Sequence, residues 1–380
     1  MNAALLLLAV LTTLGLLLAV LDFALGARRI RALADVTPAQ ELPTLSIVVA
    51  ARDEARGIEE ALGSLLALDY PGVEIVVVDD RSTDGTGAIL QEMAKKHGRL
   101  RVRHIHELPG GWLGKNHALF VGAAEASGEF LLFTDADVVF EPSTVRRAMT
   151  IVQQESVDHL AVLPDVQVPG TALKIFVASF GVFFSLYSRP WKASDPRSPF
   201  HIGVGAFNLI RTSAYRAIGT HRAIAMRPDD DLKLGKLVKK HRFRQQVAGG
   251  HGFVVVEWYR SLSEAIDGLM KNAFAGVNYS LLAVAGSTLG LLVMYVWPFI
   301  GVAVTSGATQ VLNGVSVVLI VTVYWITERR APALYVFGFP FAAILFAYII
   351  WRSALIAVTS GRVTWRGTSY PLSELRANRV

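Results

Sequence analysis

Apolar and polar positions divide the 380-residue chain into three parts. Residues 3–25 (AALLLLAVLTTLGLLLAVLDFAL) are apolar but for Asp22. That run is long enough for a hydrocarbon core of about 30 Å. It is longer than a signal-peptide core and has no basic segment before it, so it predicts a retained anchor over 1–27. Three apolar stretches, about 281–306, 311–327 and 332–358, predict transmembrane helices across 280–358, with a basic tail over 359–380. The intervening residues have soluble-domain patterning and suffice for one sizeable α/β domain, expected over 43–260.

Inside that domain the pattern alternates. Strands are expected at 45–51, 73–80, 101–105, 129–133 and 159–164, with helical spacing at 58–68, 83–97, 115–127 and 143–155. Thr83 or Asp84 is the expected N-cap of the second helix. This order predicts a parallel sheet with right-handed crossovers, and ligands at the carboxyl ends of its strands. Residues 171–191 (TALKIFVASFGVFFSLYSRPW) break the alternation. They are apolar and aromatic, yet carry Lys174 and end in Arg189-Pro190-Trp191. An amphipathic helix in the membrane interface fits them better than a further span. GVGAFNLI (203–210) reads as a strand whose Gly203, Gly205 and Ala206 mark either a bulge or a close ligand approach. A second interfacial helix is expected over 261–278.

Composition narrows the chemistry. There is no cysteine, which excludes disulfides, thiol catalysis and thiolate metal sites. The net charge of +6 is spread out, with clusters at Arg28, Arg29, Arg31 and at Lys236, Lys239, Lys240, Arg242, Arg244. Beside membrane segments such clusters set orientation and attract anionic lipid. No basic stripe interleaved with aromatics is present, so no nucleic-acid partner is expected. The Arg28–Arg31 cluster places the domain on the cytoplasmic side of the inner membrane. Four full spans would then put the basic tail outside. Either one hydrophobic segment is re-entrant or interfacial, or the tail breaks the rule.

The acidic residues carry the candidate chemistry. In EFLLFTDADVVF (129–140) an apolar strand ends in Asp135-Ala136-Asp137. Adjacent carboxylates are costly unless a cation lies between them, although Asp-x-Asp also occurs in solvated turns. Asp53 follows the first strand, and Asp79 and Asp80 the second. Three acidic positions on one sheet edge predict a cation–phosphate site. Asp229, Asp230 and Asp231 open a further helix; capping would use one carboxylate, and this run has three.

These segments resemble glycosyltransferase family 2, the GT-A fold, in its membrane-integrated, lipid-modifying form (hopanoid, carotenoid or ceramide type). The likeness rests on IVVAARDEARGIEEALGSLLALDYP, VVVDDRSTDGT, GGWLGKNHAL, FTDADVVFEP, GVGAFNLIRTSAYRAIG, DDLKLGKLVKK and VTWRGTSYP, in that order. It implies inverting transfer of a sugar from a nucleotide-diphosphate sugar, most often a UDP-sugar, to a hydroxyl of a membrane lipid. It implies that Ala50, Arg52, Asp53, Asp79, Asp80, Lys115 and Asp135 hold the donor, and that Asp137 with Asp135 holds Mg²⁺ or Mn²⁺. Asp231 is the implied general base, with Asp230 second. Gly203, Gly205, Ala206, Phe207, Trp258, Tyr259 and Arg260 would border the acceptor. The chain departs from processive members, whose Gln-x-x-Arg-Trp motif is replaced by VVEWYRS (255–261). Its acidic pair is Asp-Asp rather than Glu-Asp. His117, His201 and His251 are read as packing or surface residues. The competing classes are a nucleotidyltransferase, which would need a basic glycine-rich first loop where this chain has ARDEARG, and a transport or secretion component, which would need ionisable residues within its spans.

Overall fold

A computed structural model describes residues 3–327 and 333–380. Residues 1–2 and 328–332, inside the expected anchor and C-terminal apolar region, lie outside the described residues. The chain forms two compact units, residues 30–167, 190–258 and 373–380 in one, and 1–29, 168–189 and 259–372 in the other.

The first unit is a three-layer α/β domain. Its strands are β1 (Arg31–Ala32), β2 (Leu45–Ala51), β3 (Glu74–Asp80), β4 (Leu100–Ile105), β5 (Phe130–Asp135), β6 (Val138–Phe140), β7 (His159–Leu163), β8 (Asp165–Gln167), β9 (Asn208–Arg211), β10 (Gln245–Gly249) and β11 (Val254–Glu257). Eight form one sheet in the order β1-β10-β7-β9-β5-β2-β3-β4, and β6-β11-β8 form a small second sheet. The inner strands read as near-continuous apolar runs because helices cover both faces. Ile47, Val49, Ile75, Val77 and Leu132 pack with helices Ile58–Leu66, Thr86–Lys96 and Thr144–Glu155. Val48, Leu131 and Phe133, one position away, pack with helices Gly114–Glu125, Thr212–Ala217 and Asp230–Lys240.

Two expectations change. The sheet is mixed rather than parallel, because β9 runs antiparallel to both β5 and β7. No crossover helix of the usual length feeds it; it follows the aromatic segment and a long irregular stretch. The strand expected at 203–210 starts only at Asn208, since Phe207 N–H closes a turn on the Val204 carbonyl (3.0 Å). The N-cap is Gly85 rather than the expected Thr83 or Asp84. The helix starts at Thr86, and the Asp84 carboxylate accepts its N–H (3.1 Å).

The second unit is helical. Among the described residues five helical stretches are long and apolar enough to cross a membrane: Ala3–Ala27, Thr171–Lys192, Leu281–Val304, Gly307–Ile326 and Tyr335–Ser360. Leu18, Leu282 and Phe341 are 67%, 84% and 74% exposed, the reverse of a soluble surface. Thr13 Oγ1 lies 2.9 Å from Ser316 Oγ, joining the first helix to the fourth of these stretches. Phe183 of the aromatic segment packs on Phe339 and Phe346. The 281–304 stretch is interrupted by a π-turn at Leu292–Val296, directly before Pro298, whose missing N–H cannot continue the ladder. The expected helix at 261–278 runs from Leu262 to Gly276, capped by Ser261 Oγ accepting from Glu264 N–H (3.2 Å).

Candidate active site

Lys115, the second residue of helix Gly114–Glu125, is a meeting point for the carboxylates. Its Nζ is 2.7 Å from Asp135 Oδ1, at the carboxyl end of β5, and 3.6 Å from Asp230 Oδ2, at the start of helix Asp230–Lys240. Asp231 joins through the main chain. Its Oδ2 accepts Gly205 N–H (3.0 Å), while the Gly205 carbonyl accepts Asp135 N–H (3.1 Å). Four separate segments therefore converge on one point.

Glycine is required there for close approach. A Cβ on Gly205 would lie 2.6 Å from Asp135 Oδ2 and 3.5 Å from Lys115 Nζ, and one on Gly203 would overlap the Asp231 carbonyl. These glycines bring backbone against the carboxylates. Ala206 and Phe207 sit beneath; Thr134 Oγ1 donates to the Ala206 carbonyl (2.8 Å), and the buried Phe207 ring lies tilted against Phe140 (6.0 Å, 39°).

The charges hold each other. Burial opposes the ammonium of Lys115, but Asp135, Asp230 and Asp231 outweigh it and keep it well above the usual lysine range. Burial raises the carboxyl of Asp231, against the pull of Lys115 and of Leu232 N–H. Asp137 is surface-exposed yet crowded by protein; that crowding, then repulsion from Asp135 and Glu54, pushes its carboxyl up to about 7. Negative charge around Asp137 is thus undercompensated. Among the described residues no set of three or more His, Asp or Glu side chains is arranged to bind a metal by itself. Asp135 and Asp137 fit a hard cation that takes the rest of its shell from phosphate oxygens.

Beside this lies a second acidic group. Register sets Ala50 opposite Asp135 on one side, and Ala51 opposite Asp79 on the other. Buried Asp80 is bidentate with Arg81 (2.7 and 2.9 Å) and 3.7 Å from Arg52. Asp79 Oδ2 is 2.9 Å from His104 Nδ1. Asp53, in a left-handed conformation (φ 53°), accepts Thr83 N–H (2.7 Å), so it laces the loop after β2 to the loop after β3. Gly114 abuts Asp80 so closely that any side chain would clash, which ties this group to the helix of Lys115. Trp258 N–H bonds the Gln167 carbonyl (3.2 Å) at the end of β11. Tyr259 and Arg260 belong to the helical unit, where the Tyr259 ring covers Gly268 and Arg260 N–H bonds Glu264.

The sequence marks Asp229 only as one of three aspartates opening a helix, and gives no sign of Arg227, Asn116 or His221 as residues that shape the site. Asp229 is held by Arg227 (2.8 Å at both oxygens) and by Lys233 (3.3 Å), all but buried. Asn116, buried next to Lys115, donates to three carbonyls of the segment preceding Asp229. His221 is buried against Phe133 and Tyr215, and burial with the nearby Lys115 charge lowers it to about 3. The one available signal was that three consecutive aspartates could not all be exposed caps.

Comparison with known proteins agrees with this geometry. Residues 46–219 match the family model for Glycosyl transferase family 2. The 4,4'-diaponeurosporenoate glycosyltransferase of Staphylococcus aureus strain MRSA252 is 24% identical over 341 residues, covering 87% of this chain and 89% of the relative. The protein of the same name from strain USA300 is 26% identical over 239 residues, 62% of each chain. Among solved structures, the mannosyltransferase PcManGT from Pyrobaculum calidifontis, in complex with GDP-Man and Mn2+, is similar with a TM-score of 0.59 at 19% identity. That likeness covers 91% of this chain and 99% of the other, and shows the fold. The match falls on the sheet and loops that gather Asp53, Asp79, Asp80, Lys115, Asp135 and Asp137, so residues 46–219 form a glycosyltransferase family 2 domain, and the chain is a glycosyltransferase of the GT-A fold.

Proposed function

We propose that this enzyme transfers one sugar, with inversion, from a nucleotide-diphosphate sugar to a hydroxyl of a membrane lipid. The observation that carries the reading is the convergence of Lys115, Asp135, Asp230 and Asp231 on Gly205. Asp231 accepts the proton of the attacking hydroxyl. Its burial-raised carboxyl suits that task, because a base works best when its pKa approaches the operating pH. Lys115 keeps Asp230 and Asp135 in place and presents its positive charge to the donor phosphates. Asp79, Asp80 and Asp53 fix the loops that receive base and ribose. A Mg²⁺ or Mn²⁺ held by Asp137 and Asp135 would, when bound, supply Lewis-acid neutralisation of charge growing on the leaving diphosphate. The donor is a UDP-sugar.

A lipid acceptor is supported by the exposed apolar helices and by relatives named for 4,4'-diaponeurosporenoate. The domain works from the cytoplasmic face of the inner membrane. Segment 171–191 lies in the interface rather than crossing. Strands β9 and β10 follow it yet share a sheet with β5 and β7, which precede it, so both its ends stand on one side of the bilayer.

The test is direct. Reconstituted protein is incubated with a panel of nucleotide sugars, Mg²⁺ or Mn²⁺, and total lipid extract, and lipids are analysed by mass. One lipid class should gain the mass of one sugar. Undiminished product from both Asp137→Ala and Asp231→Ala variants would reject the assigned roles.

A further inference from the structure

Residues 225–229 lead into helix Asp230–Lys240 and so set where Asp230 and Asp231 stand. They form no helical or strand ladder, so their main-chain groups need partners from elsewhere. Leu113 N–H, bonded to the Ala225 carbonyl (2.9 Å), and two asparagines supply them. Asn116 Nδ2 donates to the carbonyls of Ile224 (2.8 Å), Ala225 (3.2 Å) and Arg227 (2.8 Å). Asn378, far along the chain, Oδ1 accepts Met226 N–H (2.9 Å) and Nδ2 donates to the Ala223 carbonyl (3.1 Å). Its neighbours are anchored too. Leu375 is buried, Val380 packs against the cluster containing Ile224, Leu234 and Leu237, and the Val380 main-chain oxygen accepts from Lys236 Nζ (2.5 Å). Residues 373–380 are therefore part of the catalytic domain, although residues 259–372 of the helical unit separate them from the rest of it.

We propose that Asn378 is a positioning residue of the active site: with Asn116 it fixes the 223–227 turn, and so holds Asp230 and Asp231 toward Lys115 and Gly205. The proposal rests on the catalytic reading of the acidic pair given above. It has a consequence for the membrane. Residues 258 and 373 both lie in the catalytic domain, so the chain between them crosses the bilayer an even number of times. At most two of the three C-terminal apolar stretches then cross, which leaves the basic tail on the same side as Arg28, Arg29 and Arg31.

Full-length protein in vesicles tests both parts. Asn378→Ala removes both bonds, and Asn378→Asp keeps the acceptor only. In the alanine variant kcat should fall about tenfold or more, since small misplacements of catalytic groups are costly. The aspartate variant should fall less. KM for the nucleotide sugar should stay within about twofold, because Asn378 touches no part of the Asp79–Asp80 group. Exposed Arg379→Ala should behave as wild type. Unchanged kcat in Asn378→Ala overturns the positioning role. The second arm uses the absence of native cysteine. Ser373→Cys and Glu92→Cys, both exposed, should react with a membrane-impermeant maleimide in the same vesicle orientation. Labelling from opposite faces would overturn the docking, even if Asn378→Ala failed to fold. An active Asp231→Asn variant would refute the base assignment instead, and leaves the labelling result untouched.

Discussion

Replacing Gly205 by alanine is the sharpest small perturbation of this site. Gly205 does not adopt a left-handed backbone, so alanine adds no conformational strain. The whole effect is steric. The new methyl would start 2.6 Å from Asp135 Oδ2, whereas ordinary contact begins at 3.4 Å, so about 0.8 Å must be found. The backbone cannot retreat freely. Gly205 N–H is bound to Asp231 Oδ2 (3.0 Å), and its carbonyl receives Asp135 N–H (3.1 Å). Asp135 cannot swing aside without stretching its 2.7 Å contact to Lys115. The displacement therefore falls on groups assigned to phosphate and metal. A misplacement near 1 Å costs about 100-fold in rate, or about 2.7 kcal/mol in the barrier. Overpacking costs about 1–3 kcal/mol in stability. The assay is initial-rate kinetics on reconstituted protein, paired with thermal unfolding. The expected result is kcat reduced about 10–100-fold in a protein that still folds. Wild-type kcat in a folded Gly205→Ala protein would show that Asp135 moves at no cost, and would refute the claim that this contact is part of the catalytic geometry.

Other expectations follow from the same interior. Asp231→Asn should lower kcat by about 10²–10⁴ with little change in donor KM, as measured by single-turnover transfer; a modest loss would remove Asp231 as the base. Asp229→Ala leaves buried Arg227 without its bidentate partner and should destabilise the domain by about 3–5 kcal/mol in chemical denaturation. Buried His159 and His221 are lowered by burial to about 4 and about 3. The unfolded chain takes up protons below about pH 6.5 while the folded one does not, so stability is complete above pH 6.5 and is lost as pH falls toward 4. The slope should approach about 1.4 kcal/mol per pH unit for each histidine, and His159→Gln should flatten it in denaturation curves taken from pH 7 to 4.5.

Much of this was legible in the chain. Strands β2, β3 and β5 announce themselves as apolar runs; β3 and β5 end in Asp80 and Asp135, and Asp53 follows the end of β2 by two residues. The resemblance assigned Asp135, Asp230 and Asp231 to one site; Asp135 and Asp230 lie within 4 Å of Lys115 Nζ, and Asp231 bonds Gly205 N–H. Strand β10 was missed because Gln245 and Gln246 look like loop residues. Gln245 is buried, with its amide bound to the Ile202 N–H and the Gly235 carbonyl. Burial of a polar side chain depends on partners that are remote in sequence. The same reason hid Arg227 and Asn116, and the pairing of Asp229 with Arg227. The reversed direction of β9 was hidden as well, since no periodicity encodes strand polarity when the connection is long. Glycines 203 and 205 were noticed, but only the approach of Asp231 and Asp135 from other segments explains them.

A structure of the enzyme with UDP and Mn²⁺ bound tests the central claim most directly. The account predicts the diphosphate between Lys115 Nζ and Asp137, with the cation coordinated by Asp137 and Asp231 open on the acceptor side. Nucleotide bound away from these residues, or a cation that ignores Asp137, would contradict it.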